Sequence, residues 1–110
     1  MPTINIFYND DKLEPKLGEA TKQLKEFVAK ELTCGDIKLN SDEVSVRLLK
    51  SRGSGMLAPV ELEVTAAAFK ERVEKQDEIC LNIQKFLMDQ LGLADIKVWL
   101  ILSELGHSWK

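Results

Sequence analysis

The feature that most restricts this chain is a pattern that runs twice: a proline-led alternating strand, a long amphipathic helix, then a second alternating strand. In the first pass, Ile4, Ile6 and Tyr8 alternate with Thr3, Asn5 and Phe7 behind Pro2, the period of two that marks a strand with unlike faces. Leu13, Leu17, Ala20, Leu24, Phe27, Val28 and Leu32 then recur every three or four positions, which predicts an amphipathic helix of about five turns. Asn9-Asp10-Asp11 can cap it, Pro15 falls in its first turn where proline is tolerated, and Gly35 is placed to end it as a left-handed cap. Val44, Val46 and Leu48 alternating with Ser45, Arg47 and Leu49 give the second strand, and the polar stretch Ser51-Arg52-Gly53-Ser54-Gly55 follows as a connecting loop.

The pattern then starts again. Behind Pro59, Val60, Leu62 and Val64 alternate with Glu61, Glu63 and Thr65. Phe69, Val73, Cys80, Ile83, Phe86, Leu87 and Leu91 mark one long second helix ending at Gly92, and Ile96, Val98, Leu100 and Leu102 alternate with Lys97, Trp99, Ile101 and Ser103 in a last strand. A βαβ unit makes its two strands parallel with a right-handed crossover. Two such units predict an α+β fold, one four-stranded mixed sheet with two helices on one face, in a single domain over 1–110 with pseudo-repeats 1–55 and 56–110. The uncovered sheet face would carry Asn5, Ser45, Arg47, Glu61, Glu63 and Lys97 beside Phe7, Leu49, Trp99 and Ile101. That is too mixed for a dry core and too apolar for a plainly solvated surface, so self-association is expected. The plainer reading pairs Arg47 and Lys97 with Glu61 and Glu63 across strands.

Bulk properties remove several classes of function. At 110 residues and 45% hydrophobic content the chain forms one domain with a modest core. Its 15 basic residues are interspersed with 18 acidic ones for a net charge of −3, which argues against a nucleic-acid partner. Cys34 and Cys80 stand far apart and His107 is the one histidine, so no metal ligand set is expected, and no organic cofactor. The apolar runs fall short of the roughly 18–20 residues of a membrane helix, and the opening strand leaves no room for a signal peptide. These features predict a cytoplasmic protein with no membrane association.

The chemistry on offer is at the amino terminus. Removal of Met1 would leave Pro2 as a secondary amine at the end of an ordered strand, a base and nucleophile once burial or nearby cations bring its pKa toward neutral. With Met1 retained, the same nitrogen is an amide without basicity.

The Met1-Pro2 opening on an alternating strand, the Ser45-Val46-Arg47 triplet opening the second strand, Gly106-His107 near the end and the doubled βαβ layout together resemble the tautomerase superfamily. The triplet is similar to one in the 4-oxalocrotonate tautomerase family. The doubled form resembles the long families, those of macrophage migration inhibitory factor and 5-carboxymethyl-2-hydroxymuconate isomerase. The resemblance implies a homotrimer that isomerises or tautomerises a small keto or enol carboxylic acid without cofactor. Pro2 would be the general base, and Arg47 the cation that serves a neighbouring subunit's site. Lys12, where short members of the superfamily carry arginine, lacks the bidentate fork. On geometry, the end of the third strand should approach the start of the first, which adds Arg72 and Lys70 as candidates to hold the substrate carboxylate. Arg52 in the polar loop is a further one. Trp109 could supply an apolar wall or belong to a subunit interface, and His107 reads as a surface or interface histidine. Two other readings stand beside this one: a non-catalytic trimer of the same fold with a binding or structural role, and a ferredoxin-like module that binds a partner.

Overall fold

The computed structural model describes residues 2–35, 38–52 and 55–103. Its elements run β1 (Thr3–Tyr8), α1 (Glu14–Leu32), β2 (Ser45–Lys50), β3 (Val60–Ala67), α2 (Lys70–Glu74), α3 (Gln76–Leu91) and β4 (Ile96–Ser103). The sheet order is β2-β1-β3-β4. Each repeat contributes a parallel pair, β1 with β2 and β3 with β4, and the halves join where β1 and β3 run antiparallel. A ferredoxin-like split βαβ places another strand between the two parallel strands of a unit, whereas here β1 and β2 are immediate neighbours.

The alternation read from the sequence sets the two faces. Ile4, Ile6, Tyr8, Val60, Leu62, Val64, Ala66 and Ile96 are buried against the helices, where Leu17, Leu24, Val28, Leu32, Ile83, Leu87 and Leu91 complete the core. The rings of Phe27 and Phe86 stack 4.3 Å apart and 6° from parallel, joining α1 to α3.

Local signals act largely as anticipated, with two corrections. Asp10 caps a short 3-10 turn, accepting from Lys12 N–H at 2.9 Å, and Pro15 occupies the first turn of α1. Gly92 ends α3 with φ +65°. Gly35 also has positive φ (+54°), but it does not cap α1: the helix closes at Thr33, which is extended and whose Oγ1 donates back to Ala29 O at 2.8 Å. The second helix is not continuous either. Lys75 (φ −106°, ψ 13°) leaves the helical region and splits it into α2 and α3.

The other sheet face is open. Its rows read Ser45–Thr3–Thr65–Ile101, Arg47–Asn5–Glu63–Trp99 and Leu49–Phe7–Glu61–Lys97 from β2 to β4. Trp99 and Ile101 remain 42% and 44% exposed. The cross-strand pairing of Arg47 or Lys97 with Glu61 or Glu63 does not form among the described residues. Arg47 Nη1 makes a long bond to Asn5 Oδ1 (3.4 Å), Lys97 turns to Asp95 (3.5 Å), and Glu61 accepts from the Leu57 and Ala58 N–H groups. Among the described residues no helix is long and apolar enough to cross a membrane, and no cluster of three or more His, Cys, Asp or Glu side chains could hold a metal ion.

Candidate functional site

Pro2 is buried at the head of β1, and its carbonyl accepts from Ser45 N–H at 3.1 Å, which ties the amino terminus to the start of β2. Because β3 runs antiparallel to β1, Thr3 faces Thr65, and the last residues of β3 come up beside Pro2. The end of β4 joins them through the Ala66–Leu102 and Ala67–Ser103 pairs. One end of the sheet therefore gathers Pro2, the start of β2, the ends of β3 and β4, and the α2 segment that follows β3.

Arg72 sits under this end. Its side chain is only 3% exposed. Nε donates to Leu32 O at the end of α1 (2.8 Å), Nη1 donates to Ala67 O at the end of β3 (3.0 Å), and the Phe69 ring lies 4.7 Å from the guanidinium carbon. Burial pushes the Arg72 pKa below its ordinary value, and the neighbouring Cys34 sulfur acts in the opposite direction. Leu32 O is one of the last carbonyls of α1, which have no partner within the helix, so Arg72 caps that end from a distant part of the chain.

The other candidate cations are dispersed. Lys70 lies at the same sheet end, but its side chain is 91% exposed, 4.0 Å from Glu74. Arg47 stands mid-strand on the open face. Arg52 follows β2, whose last residue Lys50 is paired with Tyr8, so it lies at the end of the sheet opposite Pro2. Within one chain, then, Pro2, Lys70 and Arg72 share an end, while Arg47 and Arg52 do not. His107 and Trp109 lie outside the described residues. Sequence reading passed over Cys34, which lines the same cleft as Arg72. It also passed over the caps on the free edge of β4, where Gln84 Nε2 donates to Ile96 O (2.7 Å) and Cys80 Sγ to Val98 O (3.2 Å). These are contacts between residues 12 to 40 positions apart, and no spacing rule signals them.

Paired parallel βαβ units joined through antiparallel central strands, with helices on one face, are a fold this chain shares with several solved structures. Among solved structures, the chain is similar to a 5-carboxymethyl-2-hydroxymuconate isomerase from Deinococcus radiodurans R1, with TM-score 0.70, 19% identity, and 99% of this chain and 87% of that one covered. It is similar also to a macrophage migration inhibitory factor-like protein from Entamoeba histolytica (TM-score 0.66, 12% identity, 93% and 88% covered). A third similar structure is a fused 4-OT wild-type symmetric trimer (TM-score 0.66, 13% identity, 91% and 85% covered). At these identities the likeness is one of fold. No protein-family profile matches the chain, and no curated protein is detectably similar to it in sequence.

Proposed function

We propose that this protein is a tautomerase or isomerase of small keto or enol carboxylic acids, with the Pro2 amine, freed by loss of Met1, as its general base. The observation that carries the reading is the seat of Pro2, buried at the head of a central strand and anchored through its carbonyl to Ser45. It is supported by the fold shared with an isomerase and with a fused 4-OT that is a symmetric trimer. In this reading Pro2 nitrogen takes a proton from the carbon next to the substrate carbonyl. The negative charge passes to the carbonyl oxygen, and the proton returns to the far end of the conjugated system. Cations near the site hold the carboxylate and the developing enolate. Lys70 is an exposed cation of the same chain at this end, and Arg72 fixes the strand end from below. Arg47 reaches a site by self-association, donated by a neighbouring copy in a homotrimer built on the open sheet faces.

A second reading is favoured by the commitments of Arg72. Its guanidinium is spent on Leu32 and Ala67 carbonyls, and Arg52 sits at the wrong end of the sheet, which leaves few cations to clamp a carboxylate. On that reading the protein is a non-catalytic trimer that binds or supports a partner. Intact mass before and after bromopyruvate near neutral pH separates the two. Loss of Met1 with one adduct on Pro2, and tautomerisation of phenylpyruvate abolished by Pro2→Ala, is the catalytic outcome. Retained Met1, or an unlabelled Pro2, overturns it.

A further inference from the structure

The open sheet face holds its opposite charges apart. Arg47 and Glu63 lie in one row, Arg47–Asn5–Glu63–Trp99, with β1 between them. Two strand spacings put their backbones about 10 Å apart, and within the chain they do not pair. Arg47 is exposed, and its one bond is the long one to Asn5 Oδ1 at 3.4 Å. Glu63 is half-buried, and no cation reaches it among the described residues: the ion-paired lysines 50, 70 and 97 are held by Asp11, Glu74 and Asp95. Its neighbour Glu61 is turned to the Leu57 and Ala58 N–H groups. Together with Phe7, Trp99 and Ile101, the two acids line a depression of about 220 Å³.

Covering this depression with apolar surface alone would strip Glu63 of water and leave it without a counter-ion, which is costly. A copy that covers Trp99 and Ile101 must therefore bring a cation, and Arg47 is a cation of this same face that no acid holds among the described residues. From this arrangement we infer that the open face is a contact between copies of this chain, in which Arg47 of one copy enters the depression of the next. The guanidinium meets the Glu63 carboxylate with two N–H donors and lies against the exposed Trp99 ring. The inference rests on the self-association in the proposed function and fixes its direction: the β2 side of one copy faces the β3–β4 side of the next. Each copy carries both donor and acceptor, so a ring of three closes with three such contacts. Glu63 is one row in from the Thr3–Thr65 row beside Pro2, so the donated Arg47 arrives next to the Pro2 end of the neighbouring sheet.

The test is a charge exchange. Sedimentation velocity over a dilution series compares wild type, Arg47→Glu, Glu63→Arg and the double exchange, with circular dichroism to confirm folding. Each single exchange is expected to weaken association by at least about thirtyfold, and the double exchange to recover most of the loss. A second measurement keeps the charges in place. Arg47→Lys treated with a zero-length carbodiimide should form an isopeptide link from position 47 to Glu63, found between heavy- and light-isotope chains in a mixed sample. The inference is overturned by a monomeric wild type, by single exchanges that associate as tightly as wild type, or by absence of both the recovery and the link between chains. Association that follows the charges while Pro2 stays unlabelled by bromopyruvate upholds the contact and refutes only the catalytic reading.

Discussion

Replacing Arg72 with alanine tests the architecture of the candidate site most directly. The variant removes the donor to Leu32 O, a buried carbonyl at the end of α1, and leaving such an acceptor unpaired costs about 1–3 kcal/mol. Ala67 O is less affected, because it also accepts from Phe69 N–H at 3.1 Å. Loss of the guanidinium from the Phe69 face removes about 0.5–2 kcal/mol. Release of a buried charge from its desolvation penalty works the other way and offsets part of this. The balance is a destabilisation of about 2–3 kcal/mol. With a urea slope of about 1.5–2 kcal/mol/M, the midpoint should fall by about 1–2 M at fixed protein concentration. A loss under about 0.5 kcal/mol would refute the reasoning. Arg72 would then be a free cation, available to a carboxylate ligand.

Other perturbations follow from the same structure. Leu62→Ala, at a fully buried position on central β3, should cost about 3–4 kcal/mol in urea unfolding. Gln84→Ala uncovers Ile96 O on the free edge of β4 and should lower stability by about 1 kcal/mol while increasing aggregation followed by light scattering. Trp99→Glu on the open face should dissociate the proposed homotrimer in sedimentation velocity while leaving the circular dichroism of the subunit intact; an unchanged sedimentation coefficient would exclude that face as the interface. In alkali, Tyr8 and Lys50 act together: burial, reinforced by Glu14, raises the Tyr8 pKa, and the hydrogen bond to Asp11 raises that of Lys50. Their contribution is complete below the unfolded-state values and is lost as pH rises through the folded ones, above about pH 10. Stability should fall over that range, and Tyr8→Phe should fall less between pH 8 and pH 11.

The sequence by itself determined the repeated βαβ layout, the core face of every strand and the mixed character of the open face. These follow from short periods: alternation at two fixes which side of β1 and β3 is buried, and recurrence at three and four fixes the inner stripe of α1. Pro2 was visible for the same reason, as the residue ahead of an alternating strand. The break at Lys75 and the true end of α1 at Thr33 were not, since both depend on how the chain turns to reach its partners. Only the tertiary structure decided the fate of the cations. The antiparallel register of β1 and β3 brought Arg72 to the Pro2 end, while the parallel register of β1 and β2 carried Arg52 away from it. Burial then bound the Arg72 guanidinium to two backbone carbonyls, in the wall of a cleft that Cys34 also lines. A charged residue in the first turn of a helix looks the same in sequence whether it faces water or a distant carbonyl, because that difference is made by contacts 40 positions away.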